Sequence, residues 1–266
     1  MAAEGATGGR LIVDEPAPGV ARLRISNPAK RGALDHPILD AIAATLPGLD
    51  ARCVVLTGEG PVFSAGYDIG DIPDEVFARD AERLVAHPFT AALEALDDHP
   101  WPTVAALNGH AIGGGLELSL ACDLRVADPA ARLGMPPAKL GLVYSHTGLR
   151  RFVDAIGFPR TRELFLLGRR IDAATALAWG LLNQVAEEGA LEAVALALAG
   201  ELAANAPLSL TGNKRILREL GRAGGRLDPG VEAELVALRE ACFSSEDFRE
   251  GVRAFAERRA PRWTGR

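Results

Sequence analysis

Short apolar runs alternate through the first half of the chain with longer segments that place an apolar residue every three or four positions, and only the second kind continues to the end. Leu11–Asp14 and Val20–Ile25 read as strands separated by the turn signal Pro16-Ala-Pro-Gly19. Cys53–Thr57 and Val104–Leu107 read as buried strands, because an unbroken apolar run leaves neither face of a strand for water. Pro37 to Leu46, Asp80 to Leu96 and Leu116 to Ala121 carry helical spacing, so the expected repeat is strand-strand-helix. From about Arg160 onward only helices are expected: Arg160–Leu167, Ala173–Trp179, Ala190–Ala204, Pro207–Leu220, Val231–Ala241 and Ser245–Glu257, with Gly and Pro at the joints. The pattern predicts an α/β core over residues 1–195 and a helical C-terminal region over 196–266.

Within that pattern, Asn108-Gly-His-Ala-Ile-Gly-Gly-Gly-Leu-Glu117 sets glycines 113, 114 and 115 at the start of a helix expected from Gly114 to about Ala121. Glycines let the backbone approach a ligand closely, and the first turn of a helix presents unpaired N–H groups and a positive dipole end. Negative charge developing there is stabilised, and Glu117, one turn into the helix, is placed to exchange a proton with whatever the Gly114 amide holds. The plain alternative is a turn followed by an acid that complements the dipole. A second glycine-containing segment, Gly58-Glu-Gly-Pro-Val-Phe-Ser-Ala-Gly-Tyr-Asp-Ile69, offers the peptide N–H of Tyr67 directly after Gly66. Two donors converging on one oxygen are worth several kcal/mol in a transition state, whereas one is a poor oxyanion site. Ala65, Gly66, Asp68, Ile69 and Gly113 are the neighbours expected to line it.

Composition narrows the partners. A net charge of −6, from 29 Lys and Arg against 35 Asp and Glu, gives no broad basic face for nucleic acid. The apolar stretch from Leu191 to Ala206 is interrupted by Glu192, Glu201 and Asn205, so it reads as a packed helix and not a membrane span. Met1 to Arg10 lacks an apolar core and reads as a frayed tail, not a signal peptide. Cys53, Cys122 and Cys242 have no metal spacing and fit a reducing cytoplasm. Asp71, Asp74 and Glu75 read as a solvated loop, and no metal or redox cofactor is expected.

The chain resembles the crotonase superfamily, the enoyl-CoA hydratase/isomerase family, over essentially its whole length. The resemblance rests on Asn27-Pro-Ala-Lys-Arg-Gly-Ala-Leu34, Phe63-Ser-Ala-Gly-Tyr-Asp-Ile69, Asn108 to Glu117, Cys122-Asp123 and Gly180-Leu-Leu-Asn-Gln-Val185. It implies a spiral of repeated ββα units, a C-terminal helical region that mediates a homotrimer or a hexamer made of two trimers, and a coenzyme A thioester as substrate. It also implies that the thioester carbonyl lies between the peptide amides of Tyr67 and Gly114, where an enolate is stabilised. Lys30 and Arg31 match a loop that meets CoA phosphates in the family, although an exposed Lys-Arg pair is often only solvated. Gly32 stands where the family usually has Asn.

Hydratases of the family use two glutamates, one matching Glu117. The other falls where this chain has Pro137, within Leu133-Gly-Met-Pro-Pro-Ala-Lys-Leu-Gly141. Proline cannot ionise, so simple hydration is expected to be slow unless Lys139 or His146 relays a proton. The segments Val62–Ile69, Met135-Pro-Pro-Ala-Lys-Leu-Gly-Leu-Val-Tyr144 and Ser245-Glu-Asp-Phe-Arg-Glu-Gly251 are similar to the methylmalonyl-CoA decarboxylases of the superfamily. That likeness implies that Tyr144 contacts a departing carboxylate with Glu117 close by. His146, a candidate substrate-binding residue, either tunes the pocket or begins a helix; taken alone, Tyr144 would read as an ordinary half-buried aromatic and His110 as a satisfied packing residue. The alternatives are a hydratase or isomerase acting with Glu117 alone, and an acyl-CoA binding protein without catalysis.

Overall fold

A computed structural model describes residues 8–68, 87–223 and 227–266. The chain opens with an antiparallel hairpin of β1 (Arg10–Ala17) and β2 (Val20–Ser26). The turn expected over Pro16–Gly19 contracts to Pro18 and Gly19, because β1 is an edge strand that accommodates Pro16 and shifts register between Asp14 and Ala17. Helix α1 (His36–Thr45) follows, capped by Asp35, whose carboxylate accepts from the Ile38 N–H at 3.1 Å.

Three repeats come next. The first joins β3 (Cys53–Gly58), β4 (Val62–Ser64) and α2, which is helical at 87–98. The second joins β5 (Thr103–Leu107), β6 (His110–Ile112) and α3 (Gly114–Leu120). The third joins β7 (Leu124–Ala127), β8 (Arg132–Gly134) and α4 (His146–Leu167). After these come β9 (Arg170–Asp172), α5 (Ala173–Trp179), β10 (Gln184–Val185), α6 (Leu191–Ala203), α7 (Pro207–Ala223), α8 (Pro229–Ser244) and α9 (Glu246–Glu257). The first strand of each repeat joins a six-stranded sheet, β1-β2-β3-β5-β7-β10, and the short second strand joins a four-stranded sheet, β4-β6-β8-β9. Each repeat therefore climbs from one sheet to the other and returns through its helix, which is the α/β spiral of ββα units expected from the sequence.

The alternation of a strand explains how one run serves two cores. In β3, Val54 and Leu56 face one apolar cluster while Cys53 and Val55 face another, and in β5 Ala105 and Leu107 divide from Val104 and Ala106 in the same way. Helix α6 covers the second cluster with Leu191, Ala195 and Ala199, four residues apart and small enough to lie close on the sheet. The boundary expected at 195/196 therefore falls inside a helix that packs on the sheet. Helix α4 begins well before the expected Arg160: Ser145 caps it by accepting from the Gly148 N–H at 3.1 Å, and the helix breaks at Gly157 (φ 71°), just before Pro159. Among the described residues no single helix is long and apolar enough to cross a membrane.

Candidate active site

The loop after β4 is pinned before it reaches the site. Leu34 pairs with it on both sides, donating its N–H to the Gly66 carbonyl at 2.8 Å and accepting from the Asp68 N–H at 2.9 Å. Gly66 has φ of 103°, a region that a side chain rarely tolerates, and a Cβ there would come within 2.8 Å of the Ile112 carbonyl. The loop therefore presses against the end of β6, where α3 begins. A Cβ on Gly114 would stand 3.4 Å from the Tyr67 nitrogen, and one on Gly66 would stand 3.5 Å from the Gly114 nitrogen. The structure thus brings the peptide nitrogens of Tyr67 and Gly114 close together. Phe89 of α2 lies beside them, 3.4 Å from where the Gly114 Cβ would be, and meets the Tyr67 ring edge-on at 6.4 Å.

Helix α3 runs Gly114–Leu120, one residue shorter than expected, and has only seven residues, so the individual amide of Gly114 matters more than any summed dipole. Gly113 precedes it with φ of 55° and holds the helix start to β8 through an N–H donated to the Gly134 carbonyl at 2.9 Å. Glu117, in the first turn, is 3% exposed. Its Oε2 accepts a 2.5 Å hydrogen bond from the Tyr144 hydroxyl, and its Oε1 lies 3.9 Å from Arg151 Nε. Burial raises the Glu117 carboxyl above its ordinary value, against the Tyr144 hydrogen bond and the Arg151 charge, which favour the ionised form. Burial, and then the neighbouring carboxylate, push the Tyr144 hydroxyl well above its ordinary value, so the tyrosine is the donor of the pair. Tyr144 also packs edge-on against Phe165 at 5.4 Å, which fixes its ring.

The remaining predicted residues fall into three groups. Ala65, Gly66 and Asp68 lie on the pinned loop, and Ile69 lies outside the described residues, as do Asp71, Asp74 and Glu75. Lys30 joins Asp68 in a 2.7 Å ion pair, and Arg31 is exposed with φ of 55°. Pro137 is buried in a 3-10 turn with Lys139, whose side chain packs on Gly168; His146 is exposed as the first residue of α4. Neither Lys139 nor His146 bonds to Glu117 among the described residues. His110 corrects the expectation of a satisfied ring: its buried Nδ1 has no hydrogen-bond partner among the described residues. Sequence reasoning did not single out Phe89, Arg151 or Asp97. The first half of α4 was not predicted as helix, and without it nothing in the sequence places Arg151 beside Glu117. Among the described residues no three His, Cys, Asp or Glu side chains gather as metal ligands.

The class that this fold defines is an α/β spiral of ββα units carrying two adjacent loop amides near one buried acid. The model of the enoyl-CoA hydratase/isomerase family matches residues 15–266, and the chain belongs to that family. It is 38% identical to a Thermus thermophilus protein whose name assigns it provisionally to the enoyl-CoA hydratases, over 92% of this chain and 97% of that one. It is 34% identical to the mevalonyl-coenzyme A hydratase of Beauveria bassiana, over 93% and 92% of the two chains. The crystal structure of an enoyl-CoA hydratase from Bacillus anthracis superposes with a TM-score of 0.84 at 30% identity, over 97% of this chain and 100% of that one.

Proposed function

We propose that the protein binds an acyl-CoA thioester with its carbonyl oxygen between the Tyr67 and Gly114 amides, stabilises the enolate formed there, and moves one proton through Glu117. The observation that carries this reading is the pair of peptide nitrogens brought close together, with Glu117 one helical turn away. Coenzyme A enters as part of the substrate, and no further cofactor is invoked. The reaction we favour is decarboxylation of a short malonyl-type thioester. Loss of CO2 leaves the enolate directly, so it requires an oxyanion site and a proton donor for the α-carbon, and no second base to activate water. Pro137 in place of an acid, and a Glu117 carboxyl that burial biases toward its protonated form, support it.

Hydration or isomerisation of an enoyl thioester with Glu117 alone is the second reading. The observation that favours it is the names of the relatives, which include a carnitinyl-CoA dehydratase from Citrobacter koseri at 35% identity. Incubation with methylmalonyl-CoA, malonyl-CoA and crotonyl-CoA separately, with mass spectrometry of the products, distinguishes the two. Loss of CO2 from either malonyl thioester supports the first, and gain of water by crotonyl-CoA alone replaces it with the second.

We also propose that copies of this chain associate as trimers or as pairs of trimers. The exposed apolar residues Leu166, Leu217, Val252 and Phe255 on α4, α7 and α9 supply a surface for that association. A cytoplasmic location stays an expectation from cysteine usage.

A further inference from the structure

Arg151 reaches Glu117 in a way that its other partner dictates. Its two terminal nitrogens are taken by Asp97 of α2, Nη1 donating to Oδ1 at 3.0 Å and Nη2 to Oδ2 at 2.5 Å. The guanidinium is a rigid fork, so that bidentate grip fixes where the remaining Nε edge points. That edge lies on the Glu117 side, with Nε 3.9 Å from Oε1, while Oε2 is occupied by Tyr144. The two carboxylate oxygens are therefore unlike: one accepts a hydrogen bond and the other faces a cation. The fit leaves little slack, since a Cβ on Gly148, in the first turn of α4, would come within 2.9 Å of the same Oε1 and 2.6 Å of the Tyr144 ring.

We propose that Arg151, clamped by Asp97, is a positioning residue for Glu117, fixing which oxygen accepts from Tyr144 and how tightly the other holds a proton. The proposal rests on the reading of Glu117 as the group that moves the proton. The charged and titratable groups around that carboxyl come from two sides: Tyr144 and Arg151 from α4 and the segment before it, and Asp97 from α2, whose Glu94 also acts on Arg151. Arg151 favours the ionised carboxylate of Glu117, and the charge of Asp97 opposes it. Removing each should therefore move Glu117 in opposite directions, which a purely structural role for the pair does not predict.

The test is the titration of the Glu117 carboxyl in the full-length, ligand-free protein, followed by its infrared C=O band and assigned by the band's loss in Glu117→Gln. Arg151→Gln should move the midpoint up by on the order of one pH unit, and Asp97→Asn should move it down by a smaller amount. Arg151→Lys returns the charge and should recover part of the change. Midpoints that coincide with the unsubstituted protein, or that move the same way in Arg151→Gln and Asp97→Asn, overturn the proposal. Either substitution alone that leaves a folded protein is decisive by the direction in which the midpoint moves. Incorporation of deuterium from D2O into the α-carbon of propionyl-CoA by the unsubstituted protein is measured in parallel. Its absence overturns the reading of the site, whereas the carboxyl titration judges the Arg151 proposal by itself.

Discussion

Burial of the Glu117 carboxyl ties the stability of the fold to pH. Because that carboxyl sits above the ordinary 4.5 in the fold, the folded chain holds the proton more tightly than the unfolded chain does. That preference stabilises the fold fully below the unfolded value and is lost as pH rises through the folded value, at about 1.4 kcal/mol for each pH unit that separates the two. Glu117→Gln keeps an acceptor for Tyr144 and has no charge to bury. We predict that denaturant midpoints of this variant exceed those of the unsubstituted protein at pH 8 by more than at pH 5, while proton transfer falls roughly 10²- to 10⁴-fold. Tyr144→Phe acts in the other direction. It strips the buried carboxylate of a donor, costing about 1–3 kcal/mol, and because that hydrogen bond favoured the ionised form, the limb of the pH–rate profile that reports Glu117 should move up. An unmoved limb would show that Tyr144 does not share the proton of Glu117 during turnover.

At the scale of elements, the junction of α3 with β4 decides whether the two amides meet. A Cβ on Gly115 would stand 2.5 Å from the Ser64 Cβ and 2.9 Å from its carbonyl, so the helix approaches the strand more closely than any side chain allows. Gly115→Ala should therefore lose about 1–3 kcal/mol of stability by thermal or chemical denaturation and lose activity with it. The sequence carried this junction as three consecutive glycines before an apolar helix, a pattern that by itself reads equally as a plain turn. It carried the first strands of the first two repeats too, since Cys53–Thr57 and Val104–Leu107 are long enough to show an apolar run, whereas β7 at Leu124–Ala127 was not singled out. The second strands, β4, β6 and β8, have three residues each, and a period of two leaves no pattern over so short a span. The same limit hid the first half of α4, where His146, Thr147, Gly148, Arg150 and Arg151 dilute the apolar spacing, and with it the link from Arg151 to Asp97.

For the molecule as a whole, charge burial away from the site makes stability depend on pH. His99, at the end of α2, is 4% exposed, and burial, with the nearby Lys214 charge, pushes it down to about 4 from 6.5. The fold thus prefers the neutral ring: its stabilisation is complete above the unfolded value and falls away as pH drops from 6.5 toward 4, by about 3 kcal/mol in all. Denaturant midpoints should fall over that window in the unsubstituted protein, and less steeply in His99→Gln. A fall of equal size in both would assign the acid sensitivity elsewhere. Such a variant leaves untouched the spiral that brings residues 65–68 and 113–117 together, and on that convergence the functional reading depends.

The exchange of α-protons tests that reading most directly, because enolate formation precedes any choice between losing CO2 and adding water. Propionyl-CoA in D2O should gain deuterium at its α-carbon in the presence of the protein. Gly114→Ala should slow the exchange by roughly 10²- to 10³-fold, since the new methyl would stand 3.4 Å from the Tyr67 nitrogen in the space an oxyanion would occupy. Exchange that is absent from the unsubstituted protein, or equally fast in Gly114→Ala, would contradict an enolate held between these two amides.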